Sequence, residues 1–255
     1  YGMCTEPSAF GTKLVWTEND FPHPVKLNSA IGEISALSKP NVRTDGLLPF
    51  VMNRMAKYEE KVKQNGCHYR FASSRGPLII ASFLFGTTDF MMALAITPEE
   101  AQKALTVITD FVIAWLELQY EKFPDIQGVL VLDDLIGFLG EDEFREYAIP
   151  VFRKIFMCTG AKVRFLHNDA DGLITARSLK EMGVNMFNFS HNHSMREIRD
   201  LAGEEVVLVG NIPPRDVMAA GTPRQVTDAV NTLMGEISPH DRIIWSVGGG
   251  MPPGV

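Results

Sequence analysis

Several features that mark particular protein classes are scarce or missing in this chain of 255 residues. It has three cysteines, Cys4, Cys67 and Cys158, which are far apart, odd in number and never in a Cys-x-x-Cys pair. This pattern excludes a disulfide framework and a structural zinc knuckle, and it is typical of a reducing compartment. We therefore expect a cytoplasmic protein.

Excess positive charge and long apolar runs are missing as well. The chain has 24 Lys and Arg against 31 Asp and Glu, a formal charge of -7, so it lacks the basic field that attracts nucleic acid or anionic membranes. Its longest apolar stretches, such as Gly76–Gly86 and Phe111–Leu118, fall well short of the roughly 20 residues of a membrane-spanning helix. We expect neither a nucleic-acid nor a membrane partner, and the oligomeric state stays open.

Short apolar strands alternate with helices along most of the chain. The predicted strands are His68–Ala72, Gly128–Leu132, Val163–Leu166, Asn185–Phe189, Val206–Val209 and Ile243–Val247. Most of these strands are continuous apolar runs rather than alternating ones, and helices with starts such as Thr97-Pro98 and Thr222-Pro223 lie between them. This indicates a parallel sheet covered by helices. A Gly-x-Gly-x-x-Gly turn after an early strand is missing, so a dinucleotide-binding sheet is disfavoured.

Polar side chains follow these strands at the point where each one ends. They are Ser73, Arg75, Asp133, Asp134, His167, Asp169, Ser190, His191, Asn211 and Ser246. Enzymes built on the (β/α)8 barrel place their chemistry at this edge. The sequence therefore predicts an α/β fold of the (β/α)8 TIM barrel type, with a small-molecule site at the carboxyl ends of the strands.

The pair His167 and Asp169 is the strongest candidate for a ligand site. On an extended segment, residues two apart lie on the same side, so both can bind one metal ion or one substrate. The alternative is structural: Asp169 and Asp171 cap the next helix, and His167 is a hydrogen-bonded core residue. The adjacent Asp133 and Asp134 point in different directions, so we expect one of them to face the site, unless both only form a turn.

His191 and His193 share the same spacing, but a helix start follows them. Ser194 and Glu197 have the spacing of a capping box. This predicts His193 on the solvent side and His191 nearer the site.

Several motifs together resemble one known family. They are Asp133–Leu139 followed by Phe144 and Pro150, then Gly210–Pro214, Gly221–Pro223 and Gly248–Pro253. In order and spacing they are similar to the uroporphyrinogen decarboxylase superfamily, which includes the decarboxylase of haem biosynthesis and methyltransferases that act with corrinoid proteins. The resemblance runs from about Gly2 to Val255. It implies a single barrel domain over residues 1–255, with N-terminal and C-terminal parts of the family domain absent.

Compared with the decarboxylases, this chain departs from the pattern at three positions. The resemblance implies a Tyr, a Ser and a His around the porphyrinogen, where this chain has Phe83, Asp134 and Gly249. Asp134 adds negative charge where a substrate with many carboxylates would sit, which disfavours uroporphyrinogen itself. The residues that we expect to contact a substrate are Arg75, Phe83, Asp133, Asn211 and Gly249.

The methyltransferase branch implies a metal. There, zinc is bound by a His-x-Cys motif and by a Cys in the final glycine turn; His167 matches the His, while Asp169 and Gly249 stand at the Cys positions. A further ligand would come from Asp134, His191 or Glu6. Oxygen ligands make a harder site that accepts zinc, manganese or iron, and they favour a methoxy or methylamine donor over a thiol.

These comparisons lead to three hypotheses. In the first, the chain is a methyltransferase that acts on a small methyl donor and on a corrinoid carried by a partner protein. His167 and Asp169 would bind zinc or another divalent metal, and Asp134 and His191 would be catalytic. The alternatives are a decarboxylase of uroporphyrinogen or a related acid, and a non-catalytic barrel that binds a tetrapyrrole or another small ligand.

Overall fold

The computed structural model describes residues 2–18, 21–27 and 37–250. Met251, Pro252 and Pro253, at the end of the last family motif, lie outside the described residues. The chain forms two compact units, one of residues 1–131 with 154–162 and one of residues 132–153 with 163–255. The prediction of one domain over residues 1–255 stays a prediction.

The described residues form ten α-helices and eight strands, with shorter 3-10 and π-helical turns between them. The helices are α1 Thr5–Ala9, α2 Leu48–Gln64, α3 Pro77–Phe85, α4 Thr87–Ile96, α5 Pro98–Lys122, α6 Glu141–Glu143, α7 Ile149–Cys158, α8 Leu173–Met182, α9 Met195–Ala202 and α10 Pro223–Glu236. The strands are β1 Leu14–Val15, β2 His23–Pro24, β3 Phe71–Arg75, β4 Gly128–Leu132, β5 Val163–Asn168, β6 Met186–Phe189, β7 Val207–Ile212 and β8 Ile243–Val247.

In the first unit, the apolar helices α3, α4 and α5 pack on one another. Strand β3 begins three residues later than predicted and includes Ser73 and Arg75, because the buried amide of Gln119 bonds both the N–H and the carbonyl of Ser73. Among the described residues, no single helix is long and apolar enough to span a membrane; α3 and α4 together meet that test of length and composition but are bent by 110°.

In the second unit, strands β5 to β8 lie side by side in chain order and are all parallel. Their register pairs His167 with Asn188 and Asn188 with Val209. Paired residues of neighbouring strands point to the same face of a sheet. His167 and Asn188 are therefore on one face.

Two of these strands extend further than predicted at their carboxyl ends, so both predicted ends were wrong. The predicted Val163–Leu166 runs to Asn168, and the predicted Val206–Val209 runs from Val207 to Ile212. The ladder continues because the polar residues at these ends pair in register with the neighbouring strand. The polar residues that we placed after the strands are thus held by the sheet itself.

The opposite face of this sheet forms the core of the second unit. Phe187 and Phe189 are fully buried and stack with their ring centroids 5.7 Å apart, and Leu166 is fully buried on the same side of the neighbouring strand. Burying these rings leaves Asn188 and His167 on the other face. The hydrophobic pattern thus determines which face carries the polar residues.

The segment that follows β4 contains an irregular helical turn just before Pro150. α6 is followed by a π-helical turn over Phe144–Ala148, and α7 then begins at Ile149. Pro150 has no N–H to donate, which favours a departure from the regular hydrogen-bond ladder here.

Candidate metal centre

The end of β4 separates the two adjacent aspartates, as the alternation of a strand requires. Val129, Val131 and Asp133 are fully buried on one side, whereas Asp134 is half-buried on the other. The Asp133 N–H donates to the carbonyl of His167 at 3.0 Å. Asp134, and not Asp133, thus reaches the residues at the end of β5, and the predicted substrate contact of Asp133 stays a prediction.

Asp134, His167 and Asp169 form a compact cluster. Each offers one ligand atom, and the three atoms lie within 4.8 Å of one another. His167 Nε2 is 3.1 Å from Asp169 Oδ1, as expected for residues two apart on an extended segment. Asp134 Oδ1 accepts the Asp169 N–H at 2.8 Å, so the backbone after β5 is bonded to the side chain that follows β4.

The cluster has the donors and the spacing of a divalent-metal site. Zinc lies about 2.0–2.2 Å from imidazole nitrogen and carboxylate oxygen. At tetrahedral or octahedral angles, two such donors are roughly 3 Å apart, which agrees with the 3.1 Å between His167 and Asp169. Two carboxylates and one imidazole also match the charge of a divalent ion.

Burial and charge act in opposite directions on the two ligands from β5. Burial lowers the pKa of His167, but the Asp169 carboxylate, with smaller effects from Asp134 and Asn188, outweighs it and raises the pKa above its ordinary value. Burial raises the pKa of Asp169, yet His167, the Gly250 N–H and His191 hold it below its ordinary value. Each group of the pair therefore favours the charged form of the other.

The ring of His167 has a partner that the sequence did not reveal. Its Nδ1 is 2.6 Å from Oδ1 of Asn188, which is buried on the paired strand β6. The amide Nδ2 of Asn188 donates to the carbonyls of Val209 and Val247. The apolar run Asn185–Phe189 suggested only a core strand, and only the β5–β6 register places Asn188 beside His167.

Gly249 lies against the carboxylate of Asp169. A Cβ built on Gly249 would stand 3.2 Å from Asp169 Oδ2, and its φ of +138° is rarely adopted by residues with a side chain. The next residue, Gly250, donates its N–H to the same Oδ2 at 3.2 Å. The final glycine turn thus contacts the cluster through its backbone, although it offers no ligand.

Our expectation for His193 was wrong, whereas the placement of His191 nearer the site stays a prediction. His193, predicted on the solvent side, has a side chain only 13% exposed, because its Nε2 accepts the Gly172 N–H at 3.0 Å. His191 is exposed and is among the groups that lower the pKa of Asp169. The capping box was confirmed in part, since Ser194 accepts the N–H of Glu197.

Two buried asparagines near the cluster differ in their contacts. Asn168 points to the helix side, where it bonds Thr175 of α8 and the backbone of Asp171, so its role is structural. Asn211 donates to the carbonyl of His193 at 2.6 Å, while its buried Oδ1 has no hydrogen-bond partner among the described residues. Its predicted contact with a substrate stays a prediction.

Three residues that we considered for the site belong to the first unit. Arg75 ends β3, and its N–H donates to Glu6 Oε1 at 3.0 Å. Glu6 is buried in α1, and Phe83 is half-buried in α3. The substrate contacts predicted for Arg75 and Phe83 stay predictions.

Similarity to known proteins identifies the family of this chain. A family model described as uroporphyrinogen decarboxylase (URO-D) matches residues 1–255. The chain belongs to the uroporphyrinogen decarboxylase family. This confirms the resemblance that the motifs indicated.

Relatives within the uroporphyrinogen decarboxylase family carry different names. The chain is 23% identical to a uroporphyrinogen decarboxylase of Aromatoleum aromaticum, over 98% of this chain and 71% of that protein. It is 22% identical to a methylated-thiol–coenzyme M methyltransferase of Methanosarcina mazei, over 92% of this chain and 66% of that protein. The chain therefore spans about two thirds to three quarters of the length of these relatives.

The fold is shared with solved structures. A methyltransferase from Methanosarcina mazei matches with a TM-score of 0.84 at 17% identity, over 98% of this chain and 73% of that one. A B12-independent methionine synthase from Shewanella sp. W3-18-1 matches with a TM-score of 0.57 at 11% identity, over 95% of this chain and 68% of that one. With the family match, the first likeness confirms the predicted α/β barrel of the uroporphyrinogen decarboxylase type.

Proposed function

We propose that this chain is a methyltransferase that binds a divalent metal and transfers a methyl group between a small donor and a corrinoid carried by a partner protein. The observation that carries the proposal is the cluster of Asp134, His167 and Asp169, whose three ligand atoms lie within 4.8 Å of one another. The Methanosarcina mazei relatives, which are named as methyltransferases, support it.

The chemistry follows from the ligand set. A divalent ion held there would act as a Lewis acid on the oxygen or nitrogen to which the donor's methyl group is attached. His167 and Asp169 hold the ion, and Asp134 is the third ligand. Because the donors are one nitrogen and two oxygens, the site suits zinc, manganese or iron and a methoxy or methylamine donor rather than a thiol.

The exposed His191 has a separate role in this proposal. When the bond to the methyl carbon breaks, the electron pair stays on the leaving oxygen or nitrogen, which then takes up a proton. His191 acts on Asp169 through space and is open to solvent. It supplies this proton as a general acid.

A decarboxylase is the second candidate, and the first-named relative favours it. The two carboxylates of the cluster disfavour a substrate with many carboxylates, because like charges repel. A smaller acid bound through the metal remains compatible with the same residues.

Metal analysis tests the proposal. We expect the purified protein to hold a stoichiometric divalent metal, measured by plasma mass spectrometry, and His167→Ala to lose it. His240→Ala is the matched control, because His240 is exposed and lies outside the cluster. Asp134→Asn should also lose the metal, because Asp134 is the proposed third ligand. If this variant keeps its metal, Asp134 acts as a general acid and not as a ligand.

Turnover completes the test. The wild-type protein is assayed with methoxy and methylamine donors and reduced cobalamin, alongside small carboxylic acids. Demethylation of a donor supports methyl transfer, and release of carbon dioxide supports the decarboxylase. If the protein holds no metal and turns over no methyl donor, the proposal is refuted. The hypothesis of a non-catalytic barrel that binds a small ligand would then be favoured.

A further inference from the structure

The contact between His167 and Asn188 determines which nitrogen of the ring can bind a metal. His167 Nδ1 lies 2.6 Å from Asn188 Oδ1, while Nε2 faces Asp169 at 3.1 Å. A neutral imidazole carries one hydrogen, and the nitrogen without it is the metal ligand. Whatever fixes the hydrogen on Nδ1 therefore prepares Nε2 to bind.

The orientation of the Asn188 amide is fixed by two other strands. Its Nδ2 donates to the carbonyl of Val209, the register partner of Asn188 on β7, at 2.6 Å. It also donates to the carbonyl of Val247, the last residue of β8, at 3.0 Å. Turning the amide over would place its oxygen against two carbonyl oxygens and lose both bonds. The side chain is 6% exposed, so water does not replace these partners.

The fixed amide keeps a hydrogen on Nδ1, where Asn188 is the closer acceptor, at 2.6 Å against 3.1 Å for Asp169 at Nε2. The charged ring also carries a hydrogen on Nε2, which faces Asp169, and an ion bound at Nε2 would replace that hydrogen alone. Asn188 Oδ1 can only accept, so Nδ1 must donate to it. With the hydrogen on Nε2 instead, two lone pairs would meet across 2.6 Å.

We propose that Asn188 is a positioning residue that holds His167 in the Nδ1–H tautomer and thereby sets the affinity of the cluster for a divalent ion. The inference rests on the proposed metal site, and it assigns to Asn188 a role that no motif carries. Outer partners of ligating histidines change metal affinity by about 10–100-fold when they are lost.

Two variants separate positioning from packing. Asn188→Leu removes the acceptor, whereas Asn188→Asp keeps an acceptor oxygen opposite Nδ1. The second oxygen of that aspartate faces the carbonyls of Val209 and Val247, so the buried side chain is favoured as the protonated acid, which can donate to one of them. Asn185→Leu is the matched control: Asn185 also bonds β5, accepting the Arg164 N–H at 2.7 Å, but it lies at the opposite end of β6. If Asn188→Leu does not fold, Asn188→Ser replaces it, since serine is too short to reach Nδ1.

The first measurement needs no metal. Long-range nitrogen-15 spectra of the metal-free protein, at a pH that leaves the ring neutral, report the tautomer of His167, assigned with His167→Gln. We expect Nδ1–H in the wild type, in Asn188→Asp and in Asn185→Leu. In Asn188→Leu we expect a shift to Nε2–H, because the Asp169 carboxylate beside Nε2 still accepts a hydrogen.

The second measurement is the dissociation constant for Zn²⁺, from competition with a chelator. We expect Asn188→Leu to bind about 10–100-fold more weakly, Asn188→Asp to lose less, and Asn185→Leu to match the wild type. An unchanged tautomer and an unchanged constant in Asn188→Leu would overturn the inference. If the wild-type protein holds Nδ1–H yet binds no Zn²⁺, the proposed metal site is wrong, and so is the role of Asn188 in metal affinity. The role of Asn188 in fixing the tautomer would still be supported.

Discussion

Gly249 and Asp169 occupy one small volume: a Cβ on Gly249 would come within 3.2–3.3 Å of all three atoms of the Asp169 carboxylate group. The resemblance to the methyltransferases places a Cys at each of these positions, and this chain differs at both. Because the carboxylate fills the space beside Gly249, we infer that the two differences depend on each other.

Gly249→Ala should weaken metal binding. The methyl group would displace the Asp169 carboxylate, and a φ of +138° adds strain of about 1–3 kcal/mol. We expect the Zn²⁺ dissociation constant to rise roughly tenfold, equivalent to about 1.4 kcal/mol. Gly235→Ala is the control, since a Cβ there meets nothing within 4 Å; equal effects of both variants would contradict the prediction.

Changing both positions together should alter the metal preference. Asp169→Cys with Gly249→Cys replaces one hard ligand by two thiolates beside His167, and soft ligands favour zinc over manganese. Competitive loading with both metals, followed by metal analysis, should show a higher zinc-to-manganese ratio than in the wild type. A ratio no higher than that of Gly249→Cys alone would count against the coupling of the two positions.

Glu6 should make stability fall with rising pH. Burial raises the pKa of Glu6 above its ordinary 4.5, against the opposing effect of Arg75 and neighbouring hydrogen bonds. The folded state then holds this proton more tightly than the unfolded state, so the contribution of Glu6 to stability is greatest below pH 4.5 and is lost as pH rises through the raised pKa.

Urea unfolding of Glu6→Gln tests this dependence. We expect the free energy of unfolding to fall less between pH 4.5 and pH 7 than in the wild type, because glutamine stays neutral. Glu181→Gln, at an exposed position on α8, should follow the wild-type curve. Parallel curves for Glu6→Gln and the wild type would disprove the assignment.

The three cysteines should differ in reactivity. Cys67 is exposed, whereas burial, with a smaller effect from Glu117, raises the pKa of Cys158 to about 11. Because the thiolate is the nucleophile, iodoacetamide at pH 8 should modify Cys67 first. Peptide mass spectrometry over time checks the order; early modification of Cys158 would contradict it, and Cys67→Ser should remove the fast phase.

The capping box of α10 should contribute measurably to stability. Thr222 Oγ1 accepts the Gln225 N–H at 3.3 Å, and Gln225 Oε1 accepts the Thr222 N–H at 2.8 Å. Thr222→Ala should lower the free energy of unfolding by about 1 kcal/mol. Thr232→Ala, within the same helix, should not lower the free energy of unfolding, since alanine is the better helix former. An equal decrease in both variants would argue against a contribution from the cap.

Local patterns predicted much of this molecule. Apolar strands gave β4 and β8 at their observed bounds, and the helix starts Thr97-Pro98 and Thr222-Pro223 gave the first residues of α5 and α10. The two-residue spacing placed His167 and Asp169 side by side, because the geometry of an extended chain is local. The family motifs supplied the barrel.

Contacts between distant residues could not be predicted in this way. Asn188 reaches His167 only through the register of β5 and β6, and apolar neighbours conceal it in the sequence. His193 is half-buried, and its ring accepts the N–H of Gly172, 21 residues away in sequence. Helix α4 was not predicted, and in the structure a single residue, Gly86, separates it from α3.

One backbone amide inside the cluster has a use as a reporter. The Asp169 N–H is bonded to Asp134 Oδ1, which joins residues 35 apart in sequence. An amide held this way exchanges with deuterated solvent only when the contact opens. The exchange rate of this single hydrogen therefore measures how often the site opens in the resting protein, before any ion or substrate is added.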